Sequence, residues 1–252
     1  MRRFSLFVLL LVDLLGLAAP SHGQITEWPT TVKPGRFLLE MDALTLSLDK
    51  DGDSKYTLFG AASTFLSTGL TENWDIQLGA ELFFSQKVEI SGFTERNSGV
   101  GNVYVRTKWR FYDQGSTAVA VIPYIKLPTS SAAFGNDSVE GGVVVPWSTT
   151  LPGEVTMYAM AELDFLRNDA DTGYDTNWYA SAALSRQFTK RIGLYGEATL
   201  GKSSGGGPAE GQLGWGALFY VSDTSWWDYA MYKGIAKGSA DWTHVLRFNF
   251  GF

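Results

Sequence analysis

Three basic side chains, Arg106, Lys108 and Arg110, recur at every second position from Val103 to Phe111. They alternate with Val105, Thr107, Trp109 and Phe111. In an extended chain that period places the three cations and Tyr104 on one face and the apolar residues on the other. Asp75 and Glu81 fall on the polar face of Trp74–Phe84, and Glu162 and Asp164 on that of Val155–Phe165. Glu197 and Arg247 occupy equivalent positions further along. Charged faces backed by apolar faces, repeated over many strands, describe a polar lumen inside a lipid-facing wall. Asp75, Glu81, Tyr104, Arg106, Lys108, Arg110, Glu162, Asp164, Glu197 and Arg247 are therefore expected to line a pore. Such charges either set solute selectivity or neutralise one another and close the passage, and both readings stand.

Other chemistry finds little support. The chain has no cysteine and two histidines, which excludes disulfides, thiolate metal sites and cysteine nucleophiles. His244 has Leu246 where an interfacial lipid hydrolase would need a serine two residues on, so no catalytic residue is expected. Asp49-Lys50-Asp51-Gly52-Asp53 hints at calcium, but Ser54 and Gly60 stand where an EF-hand loop requires Gly and Glu. A hairpin turn explains it better, and no metal or cofactor is expected. The balance of 20 Lys+Arg against 26 Asp+Glu argues against a nucleic-acid partner.

The elements that must position these residues can be read along the chain. Met1-Arg2-Arg3, an apolar run to Ala19 and the small residues before Gln24 form a secretory signal peptide over 1–23. Residues 24–36 are expected to be a short periplasmic segment and 37–252 a transmembrane antiparallel β-barrel. No later stretch approaches the roughly 18 apolar residues of a membrane-spanning helix. Alternating segments of about ten residues recur instead. They lie near 37–48, 55–67, 74–87, 102–112, 117–127, 139–148, 154–166, 176–188, 191–202, 210–221, 227–237 and 241–252. Twelve strands is the even count of a bacterial barrel, and the short connections fall at one end, the periplasmic end. Segments one, two and eleven alternate poorly. Trp74, Phe111, Trp147, Phe188, Tyr220, Trp226 and Phe252 fall at that end; Phe84, Phe165, Trp178 and Trp242 fall at the other. Two aromatic belts are expected of a spanning barrel, and outer-membrane lipids are its first partners.

The last segment alternates to its final residue, with Phe248, Phe250 and Phe252 on one face. A terminal strand ending on an aromatic is similar to the signal read by the barrel-assembly machinery, an expected partner. Pro123 and Pro146 fall inside neighbouring strands, where each removes a ladder hydrogen bond. Either they weaken the wall and form a lateral portal, or their missing N–H is compensated by lumen water.

Lys33-Pro34-Gly35-Arg36-Phe37, Gly99-Val100-Gly101-Asn102, Lys126-Leu127-Pro128-Thr129 and Gly69-Leu70-Thr71-Glu72-Asn73-Trp74 together resemble the family named for the MetA pathway of phenol degradation. Asn102 stands where that family usually has Asp. The resemblance implies an outer-membrane channel or transporter of a Gram-negative bacterium and identifies no substrate; small molecules, hydrophobic or aromatic ones among them, are the expected solutes. The alternatives are a non-conducting structural barrel or surface receptor and, less favoured, a lipid hydrolase.

Overall fold

The computed structural model describes residues 25–168 and 170–252, so the expected signal peptide lies outside the described residues. Thirteen strands follow one another: β1 (Phe37–Asp51), β2 (Ser54–Thr71), β3 (Trp74–Ile90), β4 (Phe93–Gly99), β5 (Val103–Gln114), β6 (Thr117–Leu127), β7 (Glu140–Leu151), β8 (Val155–Arg167), β9 (Tyr174–Gln187), β10 (Ile192–Ser203), β11 (Glu210–Ser222), β12 (Ser225–Gly234) and β13 (Trp242–Gly251). Each pairs antiparallel with its neighbours, and β1 pairs with β13. The sheet closes on itself and has no lateral edge through the barrel wall, as a lipid-exposed sheet requires.

Twelve strands form the barrel. β4 is an addition: β3 pairs with β5 through Trp74–Ala80 and with β4 through Phe84–Ile90. The stretch 88–101, read from sequence as a loop, is thus largely a hairpin continuing the wall outward. Its turn at Ser91-Gly92 has both residues at positive φ, a conformation that suits the glycine.

Outward positions are apolar and exposed: Leu78, Trp109, Ile125, Trp178, Leu184, Leu194, Leu200 and Trp215 among them. Between them, inward positions are buried and mostly polar or aromatic: Asp75, Gln77, Tyr104, Lys108, Asp164, Tyr195, Asp228 and Asn249. This inversion of the usual globular pattern makes the solvent of the outer wall hydrocarbon.

The facing of the first three strands changes at mid-height. On β1, Glu40 and Asp42 are buried below a bulge at Ala43 and Ser47 is buried above it. On β2 the buried positions change from Tyr56 and Leu58 to Phe65 and Ser67 across Ala62, whose φ is +57°. On β3 they change from Asp75 and Gln77 to Gln86 across the outward pair Leu82 and Phe83. A bulge inserts one residue and exchanges the faces beyond it. That is why β1 and β2 alternate poorly in sequence, and why Phe84 belongs to no belt: its ring turns inward against Phe134, centroids 5.6 Å apart.

The barrel closes through its final residues. Phe37 and Phe252 exchange backbone hydrogen bonds of 2.9 and 3.0 Å, and their rings stack at 5.4 Å. Phe250 stacks in turn on Phe252 at 5.4 Å. Deleting Phe252 removes this closing pair. The truncated chain is expected to show less of the compact, heat-modifiable gel species than the full chain; equal yield would contradict this.

Candidate functional site

The segment before β1 was expected in the periplasm. Residues 25–32 run inside the barrel instead, where they meet the inward charges of the wall, and residues 33–36 are exposed at its short-turn end. From the short-turn end, a bridge joins Pro34 to Gly69, and Thr31 donates to the Glu72 carbonyl at 2.8 Å. Val32 N–H donates to Asp75 at 3.0 Å. Glu27 reaches mid-lumen and is fully buried. Its carboxylate pairs with Arg106 at 2.8 Å and Lys108 at 3.5 Å. Thr26 N–H and Oγ1 donate to Glu197 at 2.6 and 2.5 Å, and Ile25 N–H does so at 2.9 Å. Ile25 packs against two inner apolar clusters. One is Tyr195, Ala230, Tyr232 and Val245, the other Ile122, Val144 and Met160. The segment thus spans between groups on several strands of the wall.

The wall positions these groups by local packing. Arg106 lies over the Phe65 ring at 3.9 Å, donates to Gln77 and meets Glu27. Phe65 can lie flat there because Gly79 has no side chain; an added Cβ would clash with the ring. Glu197 also accepts from Tyr232 at 2.8 Å. Lys108, with an exposure of 2%, is as buried as a lysine can be, and its ion pair is the compensation such burial demands.

The sequence-derived set divides by place. Asp75, Tyr104, Arg106, Lys108, Asp164, Glu197 and Arg247 are buried on the inner face. Asp75, Arg106, Lys108 and Glu197 converge on the N-terminal segment. Asp164 accepts from Tyr124 at 2.6 Å, beside Glu162 on β8. Glu81 accepts from the Asn102 N–H at 2.8 Å, at the junction of β4 and β5. Arg110 stands apart: at the short-turn rim it donates to the Glu72 carbonyl at 3.0 Å and pairs with Asp113 at 3.3 Å. Only two rungs of the basic ladder therefore act deep in the lumen.

Sequence reasoning missed partners. Arg247 pairs with Asp42 and lies 3.9 Å from Asp228, which accepts from Tyr195 at 3.1 Å. Lys126 pairs with Glu140, which also accepts from Asn136 at 2.7 Å and the Arg167 N–H at 2.6 Å. Asp42 and Asp228 alternate with apolar neighbours, a signal the bulge at Ala43 obscured for the first. Glu27 sits in a segment with no period to read.

The two prolines interrupt the ladder on both sides of β6. Pairing to β5 runs from Arg106–Tyr124 to Trp109–Val121, omitting Pro123. Pairing to β7 runs from Val119–Trp147 to Ile122–Val144, omitting Pro146. Pro123 pairs with Val143 and Pro146 with Met160 on their other sides, so each missing donor falls at the interrupted seam. Pro123 is exposed on the outer wall and Pro146 is buried on the inner one.

No curated protein matches the sequence. The fold is similar to that of an outer membrane channel from Pseudomonas putida F1, at 12% identity and a TM-score of 0.68, covering 89% of this chain and 98% of that one. It is also similar to the β domain of the Bordetella autotransporter BrkA, at 12% identity and a TM-score of 0.55, covering 87% and 100%. These likenesses are of fold, and with the apolar outer wall they describe a membrane-spanning β-barrel. Residues 24–252 match one family throughout, and the chain belongs to it: the family described as "Putative MetA-pathway of phenol degradation".

Proposed function

We propose that the barrel is a channel for small apolar or aromatic molecules, which cross its outer half and leave sideways through the wall at β6, and that it is not an enzyme. The observation that carries this is the pair of interrupted ladders at Pro123 and Pro146. Unpaired backbone facing lipid is costly, so a wall that keeps two such seams side by side has a use for them. Directly behind lie Ala120, Ile122, Val144 and Met160, all buried on the inner face, an apolar lining in a lumen otherwise rich in charge. Level with them, since Arg106 is the cross-strand partner of Tyr124 and Arg110 of Ala120, Glu27, Arg106 and Lys108 fill mid-lumen and narrow the axial route for polar solutes. In this reading the ten inward residues named from sequence, Arg110 at the rim included, line or hold that narrowed route. Phe248, Phe250 and Phe252 present the outward aromatic row that the assembly machinery would engage.

The test replaces Pro123 and Pro146 by Val and measures uptake of an apolar and a polar solute separately in liposomes. Restored pairing is expected to reduce apolar uptake several-fold and leave polar permeation unchanged. Equal loss of both, or none, would end the portal reading. A second reading, a non-conducting barrel, is favoured by the occupied lumen; it predicts that neither solute enters at all.

A further inference from the structure

The outer ends of β1–β4 carry a charge pattern that the lumen does not use. β2 and β3 have 18 and 17 residues, more than the roughly 9–11 that cross a bilayer. Leu48 on β1 lies opposite Trp242, an aromatic of the outer belt. Lys50 stands two residues beyond, about 7 Å along the strand. In this upper half Ser47, Tyr56, Leu58 and Gln86 are the buried, inner-face positions. Lys50, Lys55 and Lys87 alternate with them and point outward, and Arg96 lies opposite Lys87.

These cations are paired with one another. Lys50 is the direct cross-strand partner of Lys55, and Lys87 of Arg96. Like charges directly opposite each other destabilise a sheet, and here two such pairs stand side by side. One carboxylate intervenes: Glu89, opposite Lys55 and 2.8 Å from Lys87. Its hydrogen bond with Lys87, and then the charges of Lys87, Lys55 and Arg96, hold its carboxyl below the usual range, so all three cations surround it. Two other outward cations at this end have acids of their own, Arg167 with Asp171 at 2.6 Å and Lys233 with Asp241 at 3.2 Å, and a third, Lys202, has no such acid among the described residues and donates to the Gly207 carbonyl. Among the described residues, Lys50, Lys55 and Arg96 have no carboxylate within ion-pair distance. Immediately below, Leu44, Leu48 and Phe83 are exposed, with Phe59 edge-on to Phe83 at 6.3 Å.

A cationic patch in excess of its acids, set just above an apolar wall at the outer interface, matches an anionic lipid headgroup whose chains run down the wall. We propose that Lys50, Lys55, Lys87 and Arg96 bind the phosphates of the bisphosphorylated glycolipid of the outer leaflet, the lipid A part of lipopolysaccharide, with acyl chains against Phe59, Phe83, Leu44 and Leu48. The proposal rests on the outer-membrane placement of the barrel and is independent of conduction.

The test is native mass spectrometry of the folded, full mature chain with bisphosphoryl or monophosphoryl lipid A. The variant Lys50→Gln/Lys55→Gln/Lys87→Gln/Arg96→Gln is expected to bind the bisphosphoryl lipid about tenfold more weakly. A control, Lys33→Gln/Arg36→Gln/Lys190→Gln/Arg191→Gln at the opposite rim, is expected to bind normally, and the wild type is expected to prefer two phosphates to one. Lys55→Gln alone, with the heat-modified gel shift confirming its fold, is expected to show a partial loss. Equal binding by wild type and the fourfold variant, equal loss in the control, no preference between the lipids, or full displacement by inorganic phosphate would overturn the proposal.

Discussion

Arg247→Ala is expected to destabilise the barrel by about 3–5 kcal/mol, the cost of leaving buried charges without their partner. Arg247, Asp42 and Asp228 have side-chain exposures of 2, 6 and 1%. They come from β13, β1 and β12, so the network crosses the seam at which the barrel closes. Removing the guanidinium leaves two buried carboxylates from the neighbouring strands without the cation between them. Urea unfolding of the folded protein, followed by tryptophan fluorescence, measures the loss. Arg247→Lys retains the charge without the planar fork and is expected to recover part of it. A loss of about 1 kcal/mol or less, the level of an exposed pair, would contradict the network's role.

Glu27→Gln is expected to loosen the N-terminal segment and turn the lumen toward anions. The substitution keeps the shape of the side chain and removes the charge that compensates Arg106 and Lys108. Two cations at mid-lumen then require water, and an uncompensated buried charge costs about 3–5 kcal/mol. Ile25 and the Thr26–Glu197 bonds still hold the end of the segment, so the expected phenotype is a fluctuating pore, not a permanently empty one. Reversal potentials in a salt gradient are expected to shift toward anion selectivity, and current noise to rise. Unchanged potentials would place Arg106 and Lys108 off the permeation path.

The wall was legible in the sequence and the interior only by half. Strands that alternate without interruption, such as Val155–Arg167, declare both their span and their facing, because lipid on one side and charge on the other leave no other period. Bulges erase that period locally. At Ala43, Ala62 and Leu82 one extra residue exchanges the faces, so Asp42 could not be assigned and Phe84 was put on the wrong side. The hairpin of β3 and β4 was hidden because the middle of its second strand, Thr94-Glu95-Arg96-Asn97-Ser98, is polar on both faces and shows no alternation. Glu27 was out of reach altogether: its position is set by long-range ion pairs to β5, and no local pattern in residues 24–36 encodes such contacts. Single residues, by contrast, carried their chemistry directly. A proline cannot donate a hydrogen bond in any fold, and the ladders open at Pro123 and Pro146.

If the N-terminal segment occupies and narrows a conducting lumen, its removal opens a wider pore. Single-channel recording in planar bilayers tests it most directly, comparing the mature chain with a variant lacking residues 25–32. Small, noisy currents are expected from the first and a several-fold larger, steady conductance from the second, both from protein showing the heat-modified gel shift. Equal conductance for the two, or none from either, would contradict it.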